Sequence, residues 1–402
     1  MNEVPQVTAT NEIASPAVEV DNALVEAAEA LIPQLAARAD EAERQGGLPE
    51  ATISELDDLG IRRMALPKSV GGLEASPRTI VGVTEALARG CASTSFINTV
   101  YAAAAYLICQ LPDPGWQAFT ASENPTSTIT VNPGGTAVRE GSGYRVSGKW
   151  PFGTGQQYSG WCFLAALIEG AGDVPDAGFL LIPRHEITPL DDWNVTGLCG
   201  TASNTLTGQD IYVPEERLLR ISDFLAGRSD SSLVRDNPYY QHPAAAFTLA
   251  CLPGTPLGVV DAALEVFRSR VSKRGITYTS YLRQADAGIT HHQMDTATMK
   301  LDQARFHAER LADTASLRAS DLDIETRARC RADTGWAVRL CREAADVIQA
   351  ASGASAIHRK DALQRMLRDM QVISVHSLLL PTTNSEVYGR VLCGLDPDTA
   401  FL

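Results

Sequence analysis

The chain has 402 residues, of which 45% are hydrophobic, and its formal net charge is −14 at neutral pH. This length predicts two or three domains, or one large composite unit, with a sizeable core. The acidic balance argues against nucleic acid and anionic membranes as partners. No continuous run of eighteen apolar residues is present, so no segment is predicted to span a membrane.

The N-terminal residues 1–21 lack the basic and apolar stretches of a signal peptide, and they are predicted to be a disordered lead-in to a cytoplasmic protein. The eight cysteines are scattered without a CxxC pair, and the seven histidines follow no zinc-ligand pattern. The sequence therefore predicts free thiols in a reducing compartment and no metal site.

Residues 22–122 are predicted to form an N-terminal helical domain. Apolar residues recur at three- to four-residue spacing over 22–45, which indicates one amphipathic helix. A second helix is predicted after Pro49. The small and apolar residues of 77–111 predict two further helices with a break at Gly90.

The middle of the chain, residues 123–228, has a different pattern. Short runs of alternating or β-branched residues are bounded by Gly, Pro and Asp, which predicts a β domain built as a barrel or a sandwich. Helical periodicity returns over 229–402, where four long segments predict a four-helix bundle. The predicted fold class is therefore α+β, with a helical domain, a β domain and a helical bundle in chain order.

The stretch KWPFGTGQQYSGW, residues 149–161, combines aromatic side chains, glycines and a hydroxyl within a few positions. Phe152 and Trp161 offer flat apolar surfaces, Gly153 and Gly155 allow close backbone approach, and Thr154 supplies a hydroxyl. This combination is typical of a site for a flat ligand. It is equally consistent with a β-hairpin that packs its own aromatic residues.

Two later segments carry further candidate residues. TGLCGTASNTLTGQDIYVPEERLL, residues 196–219, places small polar side chains before a strand, although such a run is also typical of a loop closed by side-chain turns. VIQAASGASAIHRKDALQRMLRDMQVISVHS, residues 347–377, contains a glycine-rich turn and an Arg-Asp pair.

In their order and spacing these three segments resemble the acyl-CoA dehydrogenase superfamily, over nearly the whole chain after residue 20. The resemblance implies the α+β architecture predicted above and a flavin cofactor. It implies that Thr154 bonds the polar edge of the flavin ring near N5. The residues that it implies to be cofactor-binding are Phe152, Gly153, Thr154, Gly155, Trp161, Thr201, Ser203, Arg283 and Arg368.

Two departures from the superfamily bear on the reaction. Many acyl-CoA dehydrogenases carry a catalytic Glu nine residues after the Arg of the Arg-Asp pair, where this chain has Ser377, and a hydroxyl cannot replace a carboxylate base. The R-x-x-F-G motif that binds the flavin pyrophosphate is absent from residues 273–293, although Arg283 lies there. Both departures resemble the branch of two-component flavin-dependent monooxygenases, which receive reduced flavin from a separate reductase.

The segments GCASTSF, residues 90–96, and YGRVLCGL, residues 388–395, are also similar to that branch. The resemblance implies that His376 lies near the flavin on the last helix; otherwise His376 is a packed histidine satisfied by a neighbour. The predicted catalytic residues are His376, Thr154 and Ser377. The predicted substrate-binding residues are Ser93, Ser95, Tyr101 and Asn204. The alanines after Tyr101 indicate room for a bulky or polycyclic substrate or, alternatively, close helix packing.

The sequence therefore predicts a flavin-dependent monooxygenase of secondary metabolism that uses reduced flavin and O2 to oxygenate a small aromatic or natural-product substrate. Reduced FMN is favoured because the pyrophosphate motif is absent, and reduced FAD is the alternative. The predicted partners are a separate flavin reductase and further copies of the chain in a homotetramer. One alternative is an FAD oxidase or oxygenase acting on an acyl- or aryl-CoA thioester. Another is a catalytically silent binding protein on the same fold.

Overall fold

A computed structural model describes residues 19–169, 176–225, 227–399 and 401–402. The predicted lead-in lies outside the described residues except for 19–21. The α+β class is confirmed, with helices before and after a set of strands. The first helices are α1 (Asn22–Ala30), α2 (Ile32–Gln45), α3 (Glu50–Asp58), α4 (Pro77–Gly90), α5 (Ala92–Ile108) and α6 (Asp113–Thr120).

The first two helices replace the single helix predicted over residues 22–45. Asp21 caps α1 by accepting a hydrogen bond from the Leu24 N–H at 3.0 Å, and Pro33 lies in the first turn of α2. Because proline has no N–H to donate, a helix begins more readily than it continues at this point. The break predicted at Gly90 is present between α4 and α5, and a side chain at Gly90 would lie 2.5 Å from the Leu35 Cβ of α2.

The strands of the middle region are hydrogen-bonded into one mixed sheet in the order β5-β6-β2-β1-β3-β4-β7. The predicted β domain is confirmed as a central mixed sheet. Among the described strands, β1 and β3 pair in parallel and the other neighbours are antiparallel. The strands are β1 (Ser127–Glu140), β2 (Gly143–Trp150), β3 (Trp161–Ile168), β4 (Asp176–Pro183), β5 (Thr188–Pro189), β6 (Leu206–Pro214) and β7 (Leu218–Arg220).

The sheet is buried on both faces around β3. Trp161, Phe163 and Ala165 pack into the core of the N-terminal helices, whereas Cys162 and Leu164 pack into a separate core on the other face. This alternation follows from the two-residue period of a strand. This packing holds the sheet against α5 and so positions the loops at the edge of the sheet.

The C-terminal helices are α7 (Ile221–Leu225), α8 (Ser232–Asp236), α9 (Ala244–Ala250), α10 (Gly254–Val271), α11 (Gly288–Ala315), α12 (Ile324–Ser352), α13 (Ala362–Ile373) and α14 (Pro381–Leu392). Their shared core is a third apolar cluster. The helix predicted over 361–380 ends earlier, at Ile373. Leu380 precedes Pro381 and takes an extended ψ of 116°, because the proline ring disfavours the helical conformation of the residue before it.

One segment, Ala244–Val271, is long and apolar enough to cross a membrane by length and composition. It comprises α9 and α10, and 94% of its most apolar window is buried inside the fold. An apolar helix that is buried on all sides is expected in the centre of a large helical domain.

Candidate active site

A cavity of about 340 Å³ lies where the helices and the sheet meet. Its walls come from α5, the first half of β1, the loops after β2 and β5, the end of α9, and the segment that follows α13. Most of the lining is apolar, and its polar groups are hydroxyls, an amide and an imidazole. None of the described lining residues is Lys, Arg, Asp or Glu.

Residues that the sequence predicts to be functional meet in this lining although they are far apart in the chain. They are Phe152, Thr154, Thr201, Ser203, His376 and Ser377. The three segments that carry them match the three motifs of the sequence. The cavity is therefore the site at which those motifs converge.

A row of hydroxyls, formed by Thr154, Ser203 and Thr201, lies along one side of the cavity. The Thr154 and Ser203 oxygens are 2.9 Å apart, and the Ser203 and Thr201 oxygens are 2.7 Å apart. Thr201 donates in turn to the Leu198 carbonyl at 2.8 Å. All three side chains are buried. We call these three residues the hydroxyl row.

Backbone hydrogen bonds tie together the two loops that carry the hydroxyl row. Gly153 N–H donates to the Asn204 carbonyl at 3.1 Å, and Gly155 N–H donates to the Thr201 carbonyl at 2.9 Å. The Tyr101 hydroxyl donates to the Gly155 carbonyl at 2.6 Å. Asn204 and Tyr101 therefore hold the loops in place from outside the lining of the cavity.

The two glycines of the motif are packed closely against neighbouring protein groups. A Cβ at Gly153 would lie 2.7 Å from Leu206 Cγ, and a Cβ at Gly155 would lie 2.8 Å from Ile97 Cγ2. Gly155 also has φ at +69°, which favours glycine. Their missing side chains therefore admit neighbouring protein groups, and this close packing sets the position of Thr154 between them.

Phe152 forms an unusual wall at the mouth of the cavity. Its ring is 64% exposed and its φ is +65°, a conformation that is strained for an aromatic residue. The ring meets the edge of Trp193 at 6.0 Å, and the Trp193 indole N–H donates to the Leu198 carbonyl at 3.2 Å. Sequence reasoning missed Trp193 because no local pattern distinguishes it from a packing tryptophan.

His376 lies in the turn between α13 and α14 rather than on a helix. Asn384 holds this turn by donating to the Leu378 carbonyl at 2.9 Å. The His376 Nδ1 accepts a hydrogen bond from the Leu378 N–H at 3.3 Å, and the ring edge packs on Phe96 at 5.5 Å. Burial lowers the pKa of His376 to about 4. The ring is therefore neutral near pH 7, and its proton resides on Nε2 as a hydrogen-bond donor.

The Arg-Asp pair positions a loop and does not enter the cavity. Arg368 forms an ion pair with Glu43 at 2.8 Å and donates to the Thr196 carbonyl. The Asp369 carboxylate accepts a hydrogen bond from the Leu198 N–H at 2.6 Å. This bond anchors Leu198, whose φ is +54°. The predicted cofactor contact of Arg368 has no support in this geometry, because its guanidinium is committed to Glu43 and to the backbone.

The other predicted residues also lie outside the lining. The Trp161 indole donates to Ser122 at 3.0 Å within the core beneath the sheet, because its position on β3 points that way. Arg283 is exposed and pairs with Asp286 at 2.8 Å. The Ser95 hydroxyl donates to the Thr84 carbonyl at 2.7 Å, which joins α4 to α5.

Ser93 supports the site indirectly. Its side chain lies against Gly200, where an added Cβ would be 3.1 Å from the Ser93 Cβ. This contact fixes the turn that precedes Thr201. Ser93 is not among the described lining residues.

The donor set and the shape of the cavity fit a flavin ring. Phe152 and Trp193 provide flat walls, and the Thr154 oxygen provides a polar contact for the ring edge. The Thr130 hydroxyl of β1 also lines the cavity, is buried, and has no hydrogen-bond partner among the described residues. A buried hydroxyl without a partner is costly, so a polar ligand atom at this position would stabilise it. Sequence reasoning also missed Thr130, since it reads as an ordinary strand residue.

The neutral state of His376 predicts a pH dependence of stability. Between pH 6.5 and pH 4 the unfolded chain protonates this histidine while the folded protein does not, so the free energy of unfolding falls as pH falls. The variant His376→Gln should therefore lose about 2 kcal/mol less stability than the wild type between pH 7.5 and pH 5, measured by urea unfolding. Equal losses in the two proteins would contradict this assignment.

Asp369 provides a control of opposite sign. Burial raises the pKa of its carboxyl to about 6, so the folded protein binds the proton more tightly than the unfolded chain between about pH 4 and pH 6. Its contribution to stability is therefore lost as pH rises through this window. In the variant Asp369→Asn the free energy of unfolding should fall more steeply with decreasing pH than in the wild type. In His376→Gln it should fall less steeply than in the wild type.

Comparison with known proteins identifies the family. Residues 19–113 match the model of the acyl-CoA dehydrogenase N-terminal domain, and residues 250–381 match that of the acyl-CoA dehydrogenase C-terminal domain. The flavin-dependent monooxygenase oxygenase subunit HsaA of Mycobacterium tuberculosis is 28% identical over 91% of this chain and 94% of its own length. The oxygenase component of p-hydroxyphenylacetate 3-hydroxylase of Acinetobacter baumannii is 24% identical over 94% of this chain and 91% of its own length.

A solved structure supports the same placement. XiaF from Streptomyces sp., in complex with FADH2 and glycerol, is 29% identical and covers 94% of this chain and 96% of its own, with a TM-score of 0.86. The chain therefore belongs to the acyl-CoA dehydrogenase superfamily and, within it, is a flavin-dependent monooxygenase of the two-component type.

Proposed function

We propose that this monooxygenase receives reduced flavin from a separate reductase and uses it with O2 to oxygenate a small aromatic or natural-product substrate in the described cavity. The observation that carries the proposal is the composition of the lining. Hydroxyls and a neutral imidazole meet there in apolar surroundings, and no carboxylate is among the described lining residues. When bound, the reduced flavin supplies the electrons that activate O2.

The chain's own residues serve three tasks in this proposal. Phe152, Trp193 and Thr154 hold the flavin ring. His376 donates its Nε2–H to an oxygen of the substrate or of the reacting group, and it stays uncharged while doing so. The apolar side chains of Phe96 and the rest of α5 exclude water, which suppresses the unproductive release of H2O2.

Carboxylates are absent from the described lining residues, and this absence counts against the thioester alternative. Removal of a proton next to a thioester carbonyl requires a base within hydrogen-bond reach. Ser377 stands at the superfamily position of that base and cannot serve, while Glu386 is exposed on α14 and is not a lining residue. Asp369 is bonded to the Leu198 N–H. The geometry therefore favours oxygenation over oxidation of a CoA ester.

A planar aromatic substrate agrees with the cavity walls. Val100 and Ala103 of α5 and Leu252 after α9 present apolar surface, and the small Ala103 leaves room for a fused ring system. The relative from Acinetobacter is named for an aromatic acid, p-hydroxyphenylacetate. We extend the aromatic class to this chain and expect a role in secondary metabolism in the cytoplasm.

We propose FMN as the flavin, with FAD as the alternative. The described lining residues offer no cation to a phosphate group, and Arg283 is paired with Asp286. We therefore expect the phosphate of the flavin to lie outside this lining. The single phosphate of FMN needs fewer hydrogen-bond partners than the pyrophosphate of FAD. XiaF is described with FADH2, so binding of reduced FMN and reduced FAD should be compared directly.

The test of function separates the two chemistries. Purified protein, reduced flavin and O2 should convert members of a panel of phenols and fused aromatics to oxygenated products, with less H2O2 formed than without substrate. Under anaerobic conditions, acyl- and aryl-CoA thioesters should leave flavin bound to the protein oxidised. Anaerobic bleaching of the flavin by a thioester would support the alternative. Failure of either flavin to bind would support the silent binding protein.

The protein is further proposed to be a homotetramer. Large apolar side chains on the outer face of α11 and α12 remain exposed in the single chain: Met299 by 49%, Phe306 by 57% and Trp336 by 40%. A cluster of this kind is typical of a subunit interface. Light scattering at micromolar concentration should give four chains, and Trp336→Glu with Phe306→Glu should give smaller species. A wild-type monomer would contradict the prediction.

A further inference from the structure

We propose that a second cavity, separate from the active site, binds an organic carboxylate, that is, an acid with an apolar body. The second cavity has a volume of about 350 Å³ and shares no described lining residue with the active-site cavity. Its walls come from α7, α8, the start of α9 and the connection from α11 to α12. The reaction proposed above does not use this cavity, so the inference goes beyond that reaction.

The lining of the second cavity carries cations and no acidic side chain. The chain has 48 acidic residues among 402, yet none of the described lining residues is Asp or Glu, and two are arginines. One of them, Arg228, is paired with Asp223 at 2.7 Å. His242 also lines the cavity, but burial lowers its pKa, so it adds no charge near pH 7. Arg327 on α12 is therefore the cation that this cavity offers to a ligand.

The guanidinium of Arg327 is held in place without being neutralised. Its Nε donates to the Leu322 carbonyl at 3.2 Å, and its Nη2 donates to the Ala319 carbonyl at 2.7 Å. Both partners are uncharged, and Nη1 makes no hydrogen bond to a described residue. A guanidinium that is already fixed loses little side-chain entropy when it binds a carboxylate. Arg327 is thus prepared for an anion that the described residues do not provide.

The acidic side chains near Arg327 in sequence do not pair with it. Asp323 caps α12 by accepting a hydrogen bond from a backbone N–H at 2.8 Å. Asp321 accepts from the neighbouring hydroxyl at 3.0 Å. Glu325 is exposed, and its position two residues before Arg327 places it on a different face of the helix. The charge of Arg327 therefore remains available to a ligand.

A second buried arginine increases the positive charge behind this wall. Arg331 lies one helical turn after Arg327, on the same face of α12. It is only 7% exposed, and its Nε has no hydrogen-bond partner among the described residues. Burial of a cation without a counterion is costly. An anion held by Arg327 would therefore stabilise Arg331 as well.

The rest of the lining determines the kind of anion. Leu219, Phe224, Val234 and Ala245 present apolar surface in the same cavity. An inorganic anion would leave this surface in contact with water, whereas an organic acid buries its apolar body there and places its carboxylate at Arg327. The active-site cavity has a similar volume, about 340 Å³, but its described lining has no cation. A carboxylate is therefore expected to prefer the second cavity.

The test uses phenylacetate and its uncharged analogue phenylacetamide, each titrated into the purified protein by calorimetry. The wild type should bind phenylacetate about tenfold or more tightly than phenylacetamide, because a hydrogen bond between charged groups is stronger than one to a neutral group. Arg327→Gln should remove this preference. In a crystal soaked with para-bromophenylacetate, the anomalous signal of bromine should lie in the second cavity.

Two further variants distinguish the site from general effects on the fold. Ala244→Phe places a ring in the second cavity at the start of α9 and keeps the charge of Arg327, so it should abolish binding of phenylacetate there. Arg318 is an exposed arginine on the same connection from α11 to α12, and it does not line the cavity. Arg318→Gln removes the same charge from the chain and should leave the preference for phenylacetate unchanged.

Several outcomes would overturn the inference. They are the absence of phenylacetate binding, equal affinity for the two probes in the wild type, an unchanged preference in Arg327→Gln, and a bromine signal confined to the active-site cavity. Displacement of phenylacetate by an equal concentration of inorganic phosphate would assign the site to inorganic anions instead. These titrations contain no flavin, so their result is independent of whether the proposed oxygenation is observed.

Discussion

Replacing His376 with alanine is expected to reduce formation of oxygenated product about a hundredfold, while reduced flavin continues to consume O2 and H2O2 accumulates instead. The imidazole is neutral because burial lowers its pKa to about 4, and its Nδ1 is occupied by the Leu378 N–H. Nε2–H is therefore the only proton that the ring can donate. Alanine removes this donor and admits water beside Phe96, and both changes favour release of H2O2 over transfer of oxygen.

Two variants serve as controls for this result. His376→Gln keeps an N–H donor on a side chain of related length and should retain more product formation than His376→Ala. His242 is a partly buried histidine, with Nδ1 at 3.1 Å from the Leu317 carbonyl, but it does not line the active-site cavity. His242→Ala should lower stability and leave the ratio of product to H2O2 unchanged. If His376→Ala keeps the wild-type ratio of product to H2O2, the role assigned to His376 is refuted.

The second large effect is expected at Gly155, whose replacement by alanine should abolish tight flavin binding and destabilise the fold by about 2–4 kcal/mol. The new Cβ would lie 2.8 Å from Ile97 Cγ2 and 3.0 Å from the Tyr101 hydroxyl, and φ is +69°. Both neighbours belong to α5, which is buried along its length and cannot withdraw. The loop would move instead and carry Thr154 away from Ser203.

A matched glycine separates backbone strain from loss of the site. Gly141 has φ at +56° in the turn between β1 and β2, with nothing within 4 Å of an added Cβ. Gly141→Ala should therefore cost about 1 kcal/mol of stability and leave flavin affinity unchanged. Affinity and urea midpoints measured for both variants test the argument. Wild-type affinity in Gly155→Ala would show that the loop is not held by this contact.

Local motifs predicted the part of the site that depends on neighbours in sequence. Phe152 and Thr154 share one loop, and Thr201 and Ser203 share another, so their spacing was readable from the sequence alone. It did not show that Trp161 and Arg368 lie outside the described lining of the cavity. A spacing along the chain does not show which face of β3 a residue occupies, or whether a nearby carboxylate such as Glu43 already pairs with a guanidinium.

The sequence by itself determined the order of the helical and β-rich regions, because hydrophobic periods of 3.6 and 2 residues are local properties. It also determined that Ser377 stands where a carboxylate base would be needed. The tertiary structure alone decided that Thr154, Ser203 and Thr201 form one row ending at a carbonyl, and that Trp193 and Thr130 join them. These contacts connect residues through loops held by Asp369 and Tyr101, and such long-range packing leaves no periodic signal in the sequence.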